Sequence, residues 1–186
     1  MNERELVDRA RRGDATAFDA LVIATVGRLD GAARLILRDP ERARDAVQEA
    51  LAKAWRDLPG LRDPDRFEAW LHRLLVRACY DDLRRARSRP MQVQITELDG
   101  LQVGDVQAHQ ADRDELERAL RRLDPDLRTT VVLVYYVGLS LPDVALAQGV
   151  PVGTVKSRLH RARGVLQAAI RADRLPVDGH VMEVLA

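Results

Sequence analysis

The chain has 186 residues, 46% hydrophobic and 32% charged, and its 30 basic and 29 acidic side chains leave a net charge of +1. One large domain or two small ones fit that length, and a single cysteine, Cys79, excludes an intramolecular disulfide and a Cys-rich zinc site. No run approaches the length of a membrane span and the N-terminus, charged from Glu3, lacks an apolar leader, so a soluble cytoplasmic protein with no membrane insertion is expected.

Aromatic residues are only 4%, and Leu, Ala and Val carry the apolar load, a mix that favours helix over sheet. A short amphipathic helix is predicted over 3–12, with Leu6, Val7 and Ala10 inward, stopped by Gly13. Asp14 caps the next, which runs through Phe18, Leu21, Val22, Val26 and Leu29 to Leu37, with a bend or break expected near Gly27 and Gly31. Asp39-Pro40 is a cap followed by a first-turn proline, and Ala43, Ala46, Val47, Ala50, Leu51, Ala54 and Leu58 then repeat at three and four. The opposite face of that helix shows Arg44, Asp45, Gln48, Glu49 and Arg56, and Pro59-Gly60 ends it. Asp63-Pro64 repeats the start signal for a long helix whose inner face is Phe67, Trp70, Leu71, Leu74, Leu75 and Ala78, and which turns basic over Arg84, Arg85, Arg87 and Arg89.

From Pro90 the periodicity disappears, which predicts a linker over 90–111. Between Glu97 and Glu117 there are seven acids against Arg113 alone, so this tether either visits a positive surface or stays solvated. Helix resumes at about Asp112, and Asp124-Pro125 starts another with Leu127, Val131, Val132, Val134 and Tyr135 expected inside; its β-branched run is kept helical because of that start signal. Ser140, Pro142 and Asp143 then form a capped helix start, and Gly149 offers a turn residue free to take positive φ. In the helix that follows, Val155, Leu159, Ala162 and Leu166 form one buried stripe and leave Lys156, Ser157, His160, Arg161 and Arg163 on other faces. That is a helix-turn-helix with a basic second helix, the shape that enters a DNA major groove.

Three stretches in order resemble one family. Asp45-Ala46-Val47-Gln48-Glu49-Ala50 resembles the core-binding helix of the bacterial extracytoplasmic-function sigma factors. The Phe67–Leu71 and Ala78–Arg85 stretches resemble that family's promoter-melting and minus-ten helix, and Gly138–Ser140 with Val150–Arg163 its minus-thirty-five helix-turn-helix. The resemblance implies an all-α fold of two small helical domains joined by an extended linker: a four-helix region 2-like domain over 1–89, the acidic linker over 90–111, a region 4-like domain over 112–174, and a tail over 175–186.

It further implies a non-catalytic, dissociable initiation subunit without metal or cofactor, whose partners are RNA polymerase core (the clamp helices of its large subunit, and its flap), promoter DNA and, commonly, an anti-sigma factor. Asp45, Gln48 and Glu49 would dock on core. Arg73, Arg77, Arg84, Arg85, Arg87 and Arg89 would meet the minus-ten strand, with Met91 near a flipped base. Thr154, Lys156, Ser157, Arg158, His160, Arg161 and Arg163 would meet the minus-thirty-five duplex, Arg158 and Arg163 at phosphates. Two positions depart from the family. Arg77 replaces its usual Asn, which changes the donor and acceptor pattern offered to a base, and Gln148 replaces a Leu, which is expected to loosen helix packing slightly. The rival readings are a stand-alone DNA-binding regulator and a helical metal-dependent enzyme built on Asp81-Asp82.

Overall fold

The computed structural model describes residues 2–88 and 118–174, with side chains through Ala86 in the first stretch and Ala169 in the second. Helices α1 (Glu3–Arg11), α2 (Ala15–Leu37), α3 (Pro40–Asp57) and α4 (Phe67–Ser88) form the first half. After a helical turn at 118–121 come α5 (Pro125–Val131), which continues as a π-helical turn (Val132–Tyr136), then α6 (Leu141–Gln148) and α7 (Val152–Arg174). No strand occurs among the described residues, and none of their helices is long and apolar enough to cross a membrane.

The capping signals act where the sequence places them. Asp14 accepts the Ala17 amide at 3.1 Å, Asp39 the amides of Glu41 and Arg42, and Asp124 that of Leu127 at 2.9 Å. Each satisfies backbone donors that the first helical turn cannot pair internally. Asp63-Pro64 starts a 3-10 turn (Pro64–Arg66) that feeds into α4. The break expected as one possibility in α2 does not form: the helix is continuous from Ala15 to Leu37. Gly31 serves packing instead, because a Cβ there would overlap the Tyr136 hydroxyl from the other half of the chain.

One apolar core runs through both halves. Leu21, Leu29, Ile36, Phe67, Leu71 and Leu75 belong to the same buried cluster as Val132, Leu133, Val144 and Val155. Small residues on α3, Ala43, Ala46, Ala50 and Ala54, are fully or almost fully buried, which lets α2 and α4 approach closely. A second small cluster joins Leu120, Leu123, Leu127 and Ala162 to Leu35 of α2.

Tyr135 was expected inside with Val131 and Val134 but is 75% exposed. The π turn at Val132–Tyr136 widens the helix by a residue, so side chains beyond it rotate away from where a 3.6-residue period puts them.

His72 sits within the core of the first half, 1% exposed. Its Nδ1 lies 2.9 Å from the Glu68 carbonyl and its Nε2 has no partner among the described residues. Burial holds its pKa below the ordinary imidazole value, so the native state keeps it neutral while the unfolded chain takes up a proton. The associated stability is complete above about pH 6.5 and declines as pH falls from there towards the lower folded pKa, by at most about 1.4 kcal/mol per pH unit. Urea midpoints across pH 7.5 to 5 should show that loss in the native chain and a smaller one in His72→Leu; identical slopes would assign the acid sensitivity elsewhere.

Candidate nucleic-acid interface

The helix-turn-helix is built from its caps. Ser140 accepts the Asp143 amide at 3.3 Å and donates its hydroxyl to the Asp143 carboxylate at 2.5 Å, so the acid returns to the cap hydroxyl rather than to the cap amide. Val144, Ala145 and Ala147 of α6 are buried, and Gly149 takes φ +67°, a left-handed turn that glycine enters without penalty. On α7, Val155 and Ala162 are fully buried, with Leu159 and Leu166 half-buried beside them. Lys156, Ser157, His160, Arg161 and Arg163 are exposed, so the basic face points to solvent as its spacing predicts. Thr154 is half-buried, and its carbonyl accepts the Ser157 hydroxyl at 2.9 Å.

Arg158 is placed differently from its neighbours. Its side chain is 13% exposed, paired with Asp126 at 2.5 Å and donating to Gln148 at 3.2 Å. Gln148 is the centre of a polar network rather than a loosened packing position. Its amide oxygen also accepts the Thr130 hydroxyl at 3.0 Å, and its amide nitrogen reaches the Tyr80 hydroxyl on α4 at 3.3 Å and the Asp126 carbonyl at 3.4 Å. Burial, reinforced by the negative charge of Asp126, pushes the Tyr80 phenol up to about 12, so it stays a neutral hydroxyl able to serve this network.

The basic face of α4 lies beneath α6. Arg77 is exposed, Arg73 is half-buried with its Nε enclosed and without a hydrogen-bond partner among the described residues, and Arg84 is exposed and paired with Asp81 at 2.8 Å. A cleft of about 450 Å³ opens between the two helices, lined by Lys53, Arg77, Tyr80, Arg84, Leu146 and Gln148 among others. Arg85 turns towards α3 and meets Glu49 at 3.4 Å. Arg89 and Met91 lie outside the described residues, as does the side chain of Arg87. Asp81 and Asp82 each hold an arginine, Arg84 and Arg42 respectively, and do not converge on a shared site.

On α3, Asp45 and Gln48 are exposed and enter no hydrogen bond among the described residues. Glu49 accepts Lys53 at 2.7 Å, and that bond, with Arg85 nearby, holds its carboxyl below the usual range. Exposed apolar side chains on α2 and α3 add to this surface chemistry. Trp55 is 41% exposed with its ring 5.0 Å from that of Phe18, and Val26 and Ile23 on α2 are exposed at 38% and 78%. Trp55 lies two helical turns beyond Gln48, off the alanine stripe, and an aromatic on an otherwise polar face was the available signal.

Comparison with known proteins gives one consistent answer. The family model described as Sigma-70 region 2 matches residues 21–89, and that described as Sigma-70, region 4 matches residues 113–166. The RNA polymerase sigma-H factor of Pseudomonas aeruginosa is 33% identical, over 91% of this chain and 94% of that protein. The ECF RNA polymerase sigma factor SigM of Mycobacterium tuberculosis is 39% identical, over 89% and 83%. Among solved structures, CnrH in complex with the cytosolic domain of CnrY aligns with a TM-score of 0.69 at 31% identity, covering 92% of this chain and 98% of that one. RpoE bound to the anti-sigma factor NepR from Bartonella quintana aligns with a TM-score of 0.71 at 28% identity, covering 84% and 98%.

Proposed function

The chain belongs to the extracytoplasmic-function sigma factors of the sigma-70 family, and on that premise we propose how its exposed faces divide the work of transcription initiation. As a sigma subunit it directs RNA polymerase to promoters. Asp45 and Gln48, with the exposed Trp55 two turns along the same helix and the exposed Val26 and Ile23 of α2, form the surface that docks on polymerase core: polar groups set the register and the apolar side chains supply buried area. Glu49 braces that surface through Lys53 and Arg85.

The observation that carries the DNA assignment is the outward array on α7, where Lys156, His160, Arg161 and Arg163 are exposed over a buried Val155 and Ala162. In a major groove such a helix offers cations to guanine edges and phosphates. Arg158, already committed to Asp126 and Gln148, holds α7 against α5 instead of reading DNA. Lys156→Ala or Arg161→Ala should weaken duplex binding about tenfold and reduce the salt slope by about one. Arg158→Ala should lower the melting temperature more than the salt slope. Titrations at several salt concentrations separate the two, and equal slopes for all three variants would refute the division.

Arg73, Arg77 and Arg84 on α4 would track the phosphates of the opened minus-ten strand. Strand opening then needs no chemistry from this chain, because capturing unpaired bases draws the duplex equilibrium towards separation. The factor would act where polymerase acts, in the cytoplasm. The two promoter elements lie about 25 base pairs apart, roughly 85 Å at 3.4 Å per pair. A chain whose halves share one core must open to reach both. Two similar solved chains are held by CnrY and by the anti-sigma factor NepR, which supports reading the closed arrangement as the form an anti-sigma partner would retain.

The test is run-off transcription with purified core polymerase on a promoter library. Specific initiation that requires this chain, and fails with Asp45→Ala/Gln48→Ala, is the expected result. Tight duplex binding with no core dependence would instead identify a stand-alone regulator.

A further inference from the structure

The seam between the first four helices and the α5 unit gathers more positive charge than the described residues balance. α2 ends at Leu37, and Arg38 then takes φ 59° and ψ 31°, the one non-glycine residue with positive φ among those described. This left-handed backbone disfavours a residue with a Cβ. The Arg38 amide closes onto the Arg34 carbonyl at 2.8 Å, while its side-chain Nε is buried without a partner among the described residues.

From across the seam comes Arg128, 5% exposed, whose Nε donates to the Ile36 carbonyl at 3.0 Å. Arg121 is exposed on the turn whose Leu120 and Leu123 pack with Leu35 of α2. Arg38 and Arg128 therefore lie about the end of one helix, with Arg121 close enough to act on Arg38 through its charge.

Their charges oppose one another. Burial, with Arg121 adding, lowers the pKa of Arg38; burial, with Arg38 adding, lowers that of Arg128 to about 10. The acid that faces them is Asp124, which favours the charged form of Arg128 but spends Oδ1 on capping α5. Asp39, next to Arg38, is engaged by the amides of Glu41 and Arg42. Among the described residues the Arg38 Nε has no hydrogen-bond partner, and Arg121 is exposed. Partly buried cations without a counterion are costly, and the missing complement is an anion with several oxygens. Guanidinium forks bind such oxygens in pairs, and a dianion can engage more than one fork where a carboxylate carries a single charge.

We propose that Arg38, Arg121 and Arg128 form a binding site for a small phosphate-class oxyanion, which clips the end of α2 to α5 and holds the two halves of the chain closed. That this would restrain initiation rests on the sigma-factor reading; the binding itself does not.

The experiment is calorimetric titration of the full chain with inorganic phosphate and with pyrophosphate, at constant ionic strength set with potassium chloride. The variants are Arg38→Gly, which accepts the left-handed backbone and so spares the fold, and Arg121→Gln. The expected result is saturable binding, tighter for pyrophosphate, weakened about tenfold or more in each variant. Saturation should also reduce the radius of gyration seen by X-ray scattering in the native chain but not in Arg38→Gly. Non-saturating uptake that is equal in all three proteins would overturn the site. So would binding of single-stranded nucleic acid that needs Arg38 and Arg121 while free phosphate shows none, since the site would then read a nucleic-acid backbone. Run-off transcription without added phosphate tests the sigma reading separately.

Discussion

Replacing Trp55 by alanine is expected to weaken binding to core polymerase by about 30-fold, a loss of about 2 kcal/mol, which is the range of an aromatic anchor at an interface centre. The ring stands 41% exposed, tilted at 53° against Phe18, and such area is unfavourable in water unless a partner covers it. It lies on the same side of α3 as Gln48, with Asp45 a turn further back. Losing the Phe18 contact should also cost about 1 kcal/mol of stability. Phe18→Leu is therefore the control, since it weakens the same aromatic contact but leaves the indole to polymerase. Fluorescence anisotropy of labelled chain against core should separate the two variants by about tenfold or more. If both lower the melting temperature and neither changes affinity, Trp55 serves packing alone.

Gly31→Ala should open the molecule while strengthening the helix that carries it. In the middle of α2, alanine is favoured over glycine by about 1 kcal/mol, because glycine loses more backbone freedom on folding. In the closed arrangement the added methyl overlaps the Tyr136 hydroxyl, and the ring must leave its place against α2. A contact of about 1–2 kcal/mol between the halves then goes, moving the closed-to-open ratio roughly 5- to 30-fold. X-ray scattering should show a larger radius, and duplex affinity should rise because the helix-turn-helix spends more time free of α4. Tyr136→Ala in the Gly31→Ala background should add nothing further, since both changes remove the same contact. A plain rise in melting temperature, with unchanged scattering, would mean that the ring swings aside without cost.

Much of this was legible along the chain because it is decided locally. Asp39-Pro40 and Asp124-Pro125 declare helix starts through groups a few atoms apart, and Gly149 declares a turn through its own backbone. The outward set on α7 follows from helical period alone. What failed depended on distant partners or on a change of period. Gly31 read as a helix weakness because the tyrosine it accommodates lies in the other half of the chain. Tyr135 was assigned inward by a period that the π turn interrupts. Gln148 resembled a misplaced polar residue until Tyr80, Thr130, Asp126 and Arg158 were seen around it. Arg158 shares the helical pattern of its exposed neighbours, and only the position of Asp126 shows why it is largely buried.

The core that runs from Phe67 through Leu133 to Val155 makes opening of the molecule a function of temperature. Closure buries apolar surface, so near room temperature it is driven by the entropy of released water and carries a negative heat-capacity change. Warming through that range tightens the closed form and cooling loosens it. On the proposed closed-to-open reading, polymerase would capture only open molecules, and its apparent affinity would be the intrinsic one reduced by the open fraction. Cold would therefore enlarge the pool of chain that polymerase can recruit, without any change in the docking surface itself.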